Sequence, residues 1–428
     1  MRRRHAACAC VPAPRGRGPA FAAIVTALLC IAGAGPSAAL ADDAPADPDL
    51  SIEDTHRAGP FRIRALFRLS DVGYDDNVRF ESQQREGDTT ASAGAGLRSV
   101  LLWGKRGGLN LVQEADYVAF AKNTDLNHLN GALKARGIFL FKHAALSLGD
   151  RYDSLEERPN TEVDQRLRRK NNTITASART LSDGRLALQA TLRHEKIGYS
   201  SDEPGSEASI ARLGRDVDAL TLGAEVKILP KTTLTIEGVA EEIDFVDDSE
   251  GRDSTTRSII PGLQFDPSAS IQGFVKIGVK SLEAEDRPQD DTDVTVGEVA
   301  LSFRMGGATR FKGTYSRDLV FSTLQENLYY EDTSWTAACE RYLSRRLRAE
   351  IRYGRGLNEY PKRVTRGGTD PFDGFREDDF TRYGLTIGYK INAQLGIVVA
   401  ASRVERDATD DFYDRSRNLY TIGSTYEF

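Results

Sequence analysis

The stretch Thr421-Ile422-Gly423-Ser424-Thr425-Tyr426-Glu427-Phe428 decides the fold. Ile422, Ser424, Tyr426 and Phe428 fall on one side of an extended strand, and Thr421, Gly423, Thr425 and Glu427 on the other. Period-two alternation marks a strand whose two faces meet different surroundings. The same dyad recurs upstream. Over 220–228 every even residue is apolar, while the odd set is Thr, Gly, Glu and Lys. Ile271, Val275, Ile277 and Val279 alternate with Gln272, Lys276 and Lys280, and Leu347, Ala349, Ile351 and Tyr353 with Arg348, Glu350 and Arg352. Tyr383, Leu385, Ile387, Tyr389 and Ile391 alternate with Arg382, Thr386 and Lys390.

Working outward, the strand-like runs come in pairs. Tight breaks rich in Gly, Pro, Asn, Asp and Ser fall at 105–108, 141–143, 182–184, 230–232, 266–268, 306–308, 344–346 and 392–394. Between them lie longer polar connections. One tight turn and one long connection roughly every 40 residues is the rhythm of a transmembrane up-and-down barrel. The eight breaks separate nine strand pairs, giving an expected all-β, antiparallel barrel of 18 strands, with 16 as the alternative. The weakest runs are 254–265, interrupted by Pro261, and 89–103, rich in Ala and Gly. Trp103, Tyr117, Phe139, Phe141, Tyr152, Trp335, Tyr353, Tyr389, Tyr426 and Phe428 sit near strand ends, as interfacial girdles do.

The other end of the chain agrees. Arg2, Arg3, Arg4, Arg15 and Arg17 make a basic leader without an acid, an apolar run covers 20–34, and Ala39-Leu40-Ala41 offers a small-x-small cleavage site. This predicts a secretory signal peptide over 1–41. The competing reading, a membrane anchor, asks for roughly 20 apolar residues, more than this run supplies. Cys8, Cys10 and Cys30 would leave with the leader, so Cys339 remains alone and neither a disulfide nor a cysteine metal cluster is expected. Of 57 Lys+Arg, 52 remain against 63 Asp+Glu, a net charge of −11 that argues against nucleic acid as a partner. The acidic, proline-containing segment 42–59 reads as a disordered periplasmic arm, and 60–428 as the barrel. After residue 41 no window approaches 18 uninterrupted apolar residues, which leaves a closed barrel as the way to span a membrane.

A barrel's chemistry lies in its lumen, on its loops or on its outer face. Parity assigns to the lumen Arg62, Arg64, Arg68, Lys134, Arg136, Arg151, Arg179, Arg193, Lys276, Lys280, Arg310, Lys312, Arg348 and Arg352. In a narrow pore such cations form a field that favours anions. The same faces carry Glu114, Asp116, Glu195, Glu225, Glu237, Glu298 and Glu350, so pairing across strands that merely stiffens the wall is the alternative. The long connections are acidic and match no calcium-loop spacing, so neither a metal nor a cofactor is expected. The longest, 358–376, could fold into the pore as a gate or cover its rim. His194 has outward parity, which leaves a surface lipid-modifying enzyme as a remote alternative; no recognisable nucleophile–His–acid spacing supports it, and the expectation is a non-enzyme.

Two short motifs carry a family resemblance. The ending, with a polar residue at Thr421 followed by Gly423, Tyr426 and Phe428, resembles the terminal-strand signal of bacterial outer-membrane barrels. That resemblance implies recognition by the barrel-assembly machinery and residence in the outer membrane among lipid and lipopolysaccharide. The run Gly73-Tyr74-Asp75-Asp76-Asn77-Val78 after the first barrel strand resembles the putative beta-barrel porin families associated with exopolysaccharide export. This second resemblance implies transport of a secreted polysaccharide, with periplasmic export components as candidate partners. The expected function is therefore a channel exporting an anionic exopolysaccharide, with a passive porin for small solutes or anions as the alternative.

Overall fold

The structure is a computed structural model that describes residues 56–427, apart from 83, 105, 159–160, 182–183, 202–209, 211, 248–249 and 368–370. The expected signal peptide, most of the expected arm and Phe428 lie outside the described residues. A short strand β1 (His56–Ala58) precedes β2 (Phe61–Asp75), β3 (Asp88–Leu102), β4 (Gly107–Phe120), β5 (His128–Leu140), β6 (Ala144–Glu157), β7 (Leu167–Thr180), β8 (Leu186–Ser200), β9 (Arg215–Leu229) and β10 (Thr232–Phe245). Then come β11 (Ser254–Phe265), β12 (Ile271–Ala284), β13 (Thr292–Met305), β14 (Thr309–Phe321), β15 (Tyr329–Tyr342), β16 (Leu347–Arg366), β17 (Phe372–Lys390), β18 (Leu395–Ala408) and β19 (Arg415–Glu427). From β2 to β19 each strand pairs antiparallel with the next, and β19 pairs back onto β2. The result is a closed barrel of 18 strands. The end of the expected disordered arm is thus partly ordered: β1 folds back on β2, with His56 opposite Ile63.

The dyad sorts the two faces. Phe67, Leu129, Leu148, Ile174, Leu222, Ile259, Ile277 and Ile351 are all more than half exposed and point outward, where lipid takes the place of water. Aromatic residues bound this band. Trp103 stacks on Phe139 at 5.5 Å near the short-turn end, and Trp335, Tyr353 and Tyr383 form a ladder with ring centres 5.3 and 5.4 Å apart nearer the long-loop end. Cys339 lies on the same outward face of β15 as Trp335. Pro261 also faces outward; it pairs with Ile236 of β10 but interrupts the β11–β12 ladder, as a residue without an N–H must.

Two departures from regular strands matter. The β2 register slips between Ser70 and Gly73 against β3, and Asp71 adopts φ 54°. The bulge shifts parity, so the outward set Phe67 and Leu69 gives way to Tyr74, and Asp75 turns inward. Gly73 sits at that seam, where a Cβ would lie 1.8 Å from the Tyr420 carbonyl oxygen, so the barrel closes there only with glycine.

The second departure corrects the expected long loop at 358–376. The alternation continues into it from both sides, and β16 and β17 run on as a tall antiparallel pair up to Arg366 and Phe372. Inward residues Asn358, Tyr360, Val364, Arg376 and Asp378 are 0–4% exposed. The prolines and glycines suggest a loop, but Pro361 only produces a register irregularity between Glu359 and Arg363. The described strand residues of this segment, 358–366 and 372–376, are wall, neither gate nor rim cover.

Candidate functional site

The lumen wall is a lattice of ion pairs. Arg68 Nη2 reaches both oxygens of Asp116, at 2.7 and 2.9 Å, and Arg64 pairs with Glu427. Arg151 meets Asp153 at 2.5 Å, Arg179 meets Glu225 at 2.7 Å, and Arg193 bridges Glu195 and Glu241. Lys276 meets Glu237 at 2.9 Å and Lys280 meets Asp318 at 2.7 Å. Lys312 joins Glu340 and Glu350, which also take Arg348 at 3.4 Å and Arg352 at 2.6 Å. Arg62, Lys134 and Arg310 make no ion pair among the described residues, while Arg136 is also partnered. So ten of the fourteen cations assigned to the pore by parity carry a carboxylate partner. These pairs leave the wall far closer to neutral than a row of arginines implies. Cross-strand neighbours of opposite charge stabilise a sheet locally, by about 0.2–1 kcal/mol each. Wall cavities of about 250 and 280 Å³ open between these pairs, the first beside Lys276, Glu237 and Arg317, the second beside Arg193, Glu195 and Arg215.

The feature the sequence did not announce is the connection between β6 and β7. Of this connection the structure describes Arg158 and residues 161–166, and Thr161 reaches strands β15 and β16, nine positions round an 18-strand barrel, which is the opposite side. Thr161 Oγ1 takes a hydrogen bond from Asn358 Nδ2 and lies 3.4 Å from the Tyr330 hydroxyl. Glu162 accepts from Ser322 Oγ at 2.5 Å, from Thr323 Oγ1 at 2.9 Å and from the Thr323 backbone N–H. Asp164 accepts from Arg406 at 3.0 Å and Arg415 at 3.2 Å. Val163 packs with Leu167 and Leu213, and the Thr161 carbonyl accepts from Arg406 Nη1. Side chains at the far anchorage are sealed from solvent: Asn358 and Ser322 are 0% exposed, Tyr330 and Arg406 2%. This arm is a strap fixed at both walls.

Neighbouring connections brace it. Arg212 holds Glu250 at 2.7 Å and donates to the Thr323 carbonyl at 3.1 Å, and this bond keeps the Glu250 carboxyl below its ordinary range. The Gly73–Val78 motif contributes here too. Asp75 takes Arg417 at 2.8 and 2.9 Å, Asn77 Nδ2 donates to the Glu81 and Ser416 carbonyls, and Val78 packs against Phe120 and Leu126. At the other end of the barrel, Tyr426 lies 3.4 Å from Gln394 and Gly423 lets β19 approach Leu69 and Ser70.

On the outer face His194 Nδ1 lies 2.8 Å from Asp218. The outward positions beside it on β7 and β9 are Asn172, Ile174, Asp216 and Leu220, and none supplies a nucleophile. Among the described residues no group of His, Cys, Asp and Glu is arranged to hold a metal ion.

A closed 18-strand barrel with an apolar outer band, short turns at one end and a strapped mouth at the other is an outer-membrane channel of the porin-like class. The chain belongs to the family described as Putative beta-barrel porin 2, which matches residues 55–428. No curated protein matches it. Among solved structures it is similar to the outer membrane protein opdK from Pseudomonas aeruginosa, at 11% identity and TM-score 0.48, over 86% of this chain and 98% of that one. A BenF-like porin from Pseudomonas fluorescens Pf-5 gives 12% identity and TM-score 0.49, over 86% and 98%. OccK2 (OpdF) from Pseudomonas aeruginosa gives 13% and 0.49, over 86% and 97%.

Proposed function

We propose that this protein is a narrow diffusion channel for small hydrophilic solutes, with a bias toward anions. The observation that carries the reading is the strap at 161–166, anchored to the opposite wall by side chains that are almost wholly buried. A polymer entering the mouth would have to break those contacts; a small solute passes beside them. The neutralised wall points the same way, because a polyanion is best conducted by a continuous unpaired basic lining. Export of an anionic exopolysaccharide is the second reading. It is favoured by one observation, the group of arginines beside the strap, Arg158, Arg166, Arg406 and Arg415, and it requires the strap to swing out. The outer face above the girdle carries Arg355 at 3.0 Å from Asp379 and Lys196 at 3.0 Å from Asp216, a polar belt suited to lipopolysaccharide headgroups. We assign no catalytic role: the His194–Asp218 pair lacks a nucleophile beside it.

Planar-bilayer recordings test this. The proposal expects small, steady unitary currents in potassium chloride that polyuronate added on either side leaves unchanged in amplitude. Long-lived polyuronate block events that shorten with voltage, signalling threading, would replace it with the exporter reading.

A further inference from the structure

Under the strap, five arginines share two carboxylates. Arg158 begins the strap, and its Nε and Nη2 donate to the Asp164 and Val78 carbonyls at 2.7 and 2.9 Å, so its hydrogen bonds go to neutral oxygens while Asp164 and Asp75 act on it only from a distance. Arg166 ends the strap. Its guanidinium lies 5.4 Å from the Phe120 ring centre and makes no hydrogen bond among the described residues, and its Nε is buried. Arg415 is 8% exposed, and its Nε is likewise buried without a partner. Asp164 is divided between Arg406 and Arg415, and Asp75, 0% exposed, is taken by Arg417. Glu156, which also acts on Arg166, is held by Arg168 at 3.0 Å.

Elsewhere in the lumen the chain pairs most of its cations. Here five guanidinium groups, Arg406 and Arg415 buried and the others half-buried, meet two carboxylates. Arg158 and Arg406 lie over the same Phe80 ring, with centroid distances of 5.2 and 5.7 Å, so the charges are close together. Burial pushes the Arg158 guanidinium down to about 9, with Arg166 and Arg417 pushing the same way. Burial, and then Arg417, also lower Arg166. Like charges out of water are costly unless an anion joins them. Planar guanidinium groups match carboxylate and phosphate oxygens in geometry as well as charge.

We infer that the underside of the strap, at Arg158, Arg166 and Arg415, is a binding site for an oxyanion: the carboxylate or phosphate group of a small solute. The inference rests on the channel reading for its purpose, since a bound oxyanion there would be the selected permeant. The strap is then both constriction and filter.

Calorimetry on the folded full chain in detergent tests the site without requiring conduction. The probes are inorganic phosphate, acetate and, as an uncharged control, glycerol. Phosphate or acetate should bind and glycerol should not; acetate alone would assign the carboxylate, phosphate alone the phosphate group. R166Q should weaken binding about ten-fold or more, as losing a charged hydrogen bond does. R166K, which keeps the charge, should fall between, and R345Q, on a short turn at the other end, should bind as the wild type does. No heat from either anion, or equal affinity in R166Q and wild type, overturns the site. Bilayer recordings on the same preparation separate the two claims. Conduction without anion binding removes the site and leaves the channel. Anion binding without conduction supports the site and removes the channel.

Discussion

Glu162→Ala is the perturbation that bears most directly on the strap. The Glu162 carboxylate accepts three hydrogen bonds on the far wall, from Ser322 Oγ, Thr323 Oγ1 and the Thr323 N–H. A hydrogen bond to a charged group contributes about 1.5–3 kcal/mol. The three are not additive, because water can replace alanine's missing oxygens once the strap lifts; a net loss of about 3 kcal/mol is the reasonable magnitude. At about 1.4 kcal/mol per decade, the ratio of undocked to docked strap rises about 100-fold. Thr161 and Asp164 keep their own anchors, so the strap loosens rather than unfolds. In planar bilayers the variant should show larger unitary conductance or new flicker between two levels. The barrel should stay intact, as judged by its shift on unheated against boiled gels. Wild-type currents from a correctly folded Glu162→Ala barrel would refute the claim that the strap limits the mouth.

Other consequences are more local. Gly73→Ala drives a Cβ to 1.8 Å from the Tyr420 carbonyl oxygen, so the β2–β19 seam must part; a loss of about 1–3 kcal/mol is expected, read as a lower urea midpoint for unfolding from liposomes. Ile351→Arg places a charge on the lipid face of β16, where the side chain is 65% exposed; it should cost about 2–4 kcal/mol, and an unchanged midpoint would mean that this face does not meet hydrocarbon. Because Arg212 lowers the folded-state pKa of Glu250, that contact contributes stability above the unfolded Glu value of about 4.3 and loses it as pH falls through the lower folded value. Hydrogen exchange of the 246–253 connection should therefore stay slow at pH 5 and quicken only on further acidification, and Glu250→Gln should abolish that dependence.

The wall was legible because each strand announces itself locally. Leu222 and Ile277 alternate with charged neighbours within a few residues, and a period of two needs no tertiary information. The count came from the turns. The bulge at Asp71 was not legible: nothing in Ser70-Asp71-Val72 marks a residue with positive φ, and only closure onto β19 reveals why Gly73 is required. The tall β16–β17 hairpin was missed because Pro361, Gly367 and Gly374 mimic loop chemistry while the inward row Asn358, Tyr360, Val364 carries on beneath them. The strap was missed for the opposite reason. It is short and polar like its neighbours, and its distinguishing contacts join Thr161 to Asn358 and Glu162 to Ser322, across the barrel. The apolar Val163 inside that connection was the one local hint. The basic lumen was read strand by strand, where Lys276 and Glu237 lie on different strands and their pairing is invisible.

Liposome swelling with a graded series of solutes tests the central claim most directly. A strapped mouth predicts rapid entry of glycerol and of pentoses, steep decline through disaccharides, faster uptake of small carboxylates than of sugars of equal size, and exclusion of polyuronate. Entry of polyuronate at a rate comparable to that of the small solutes would contradict it.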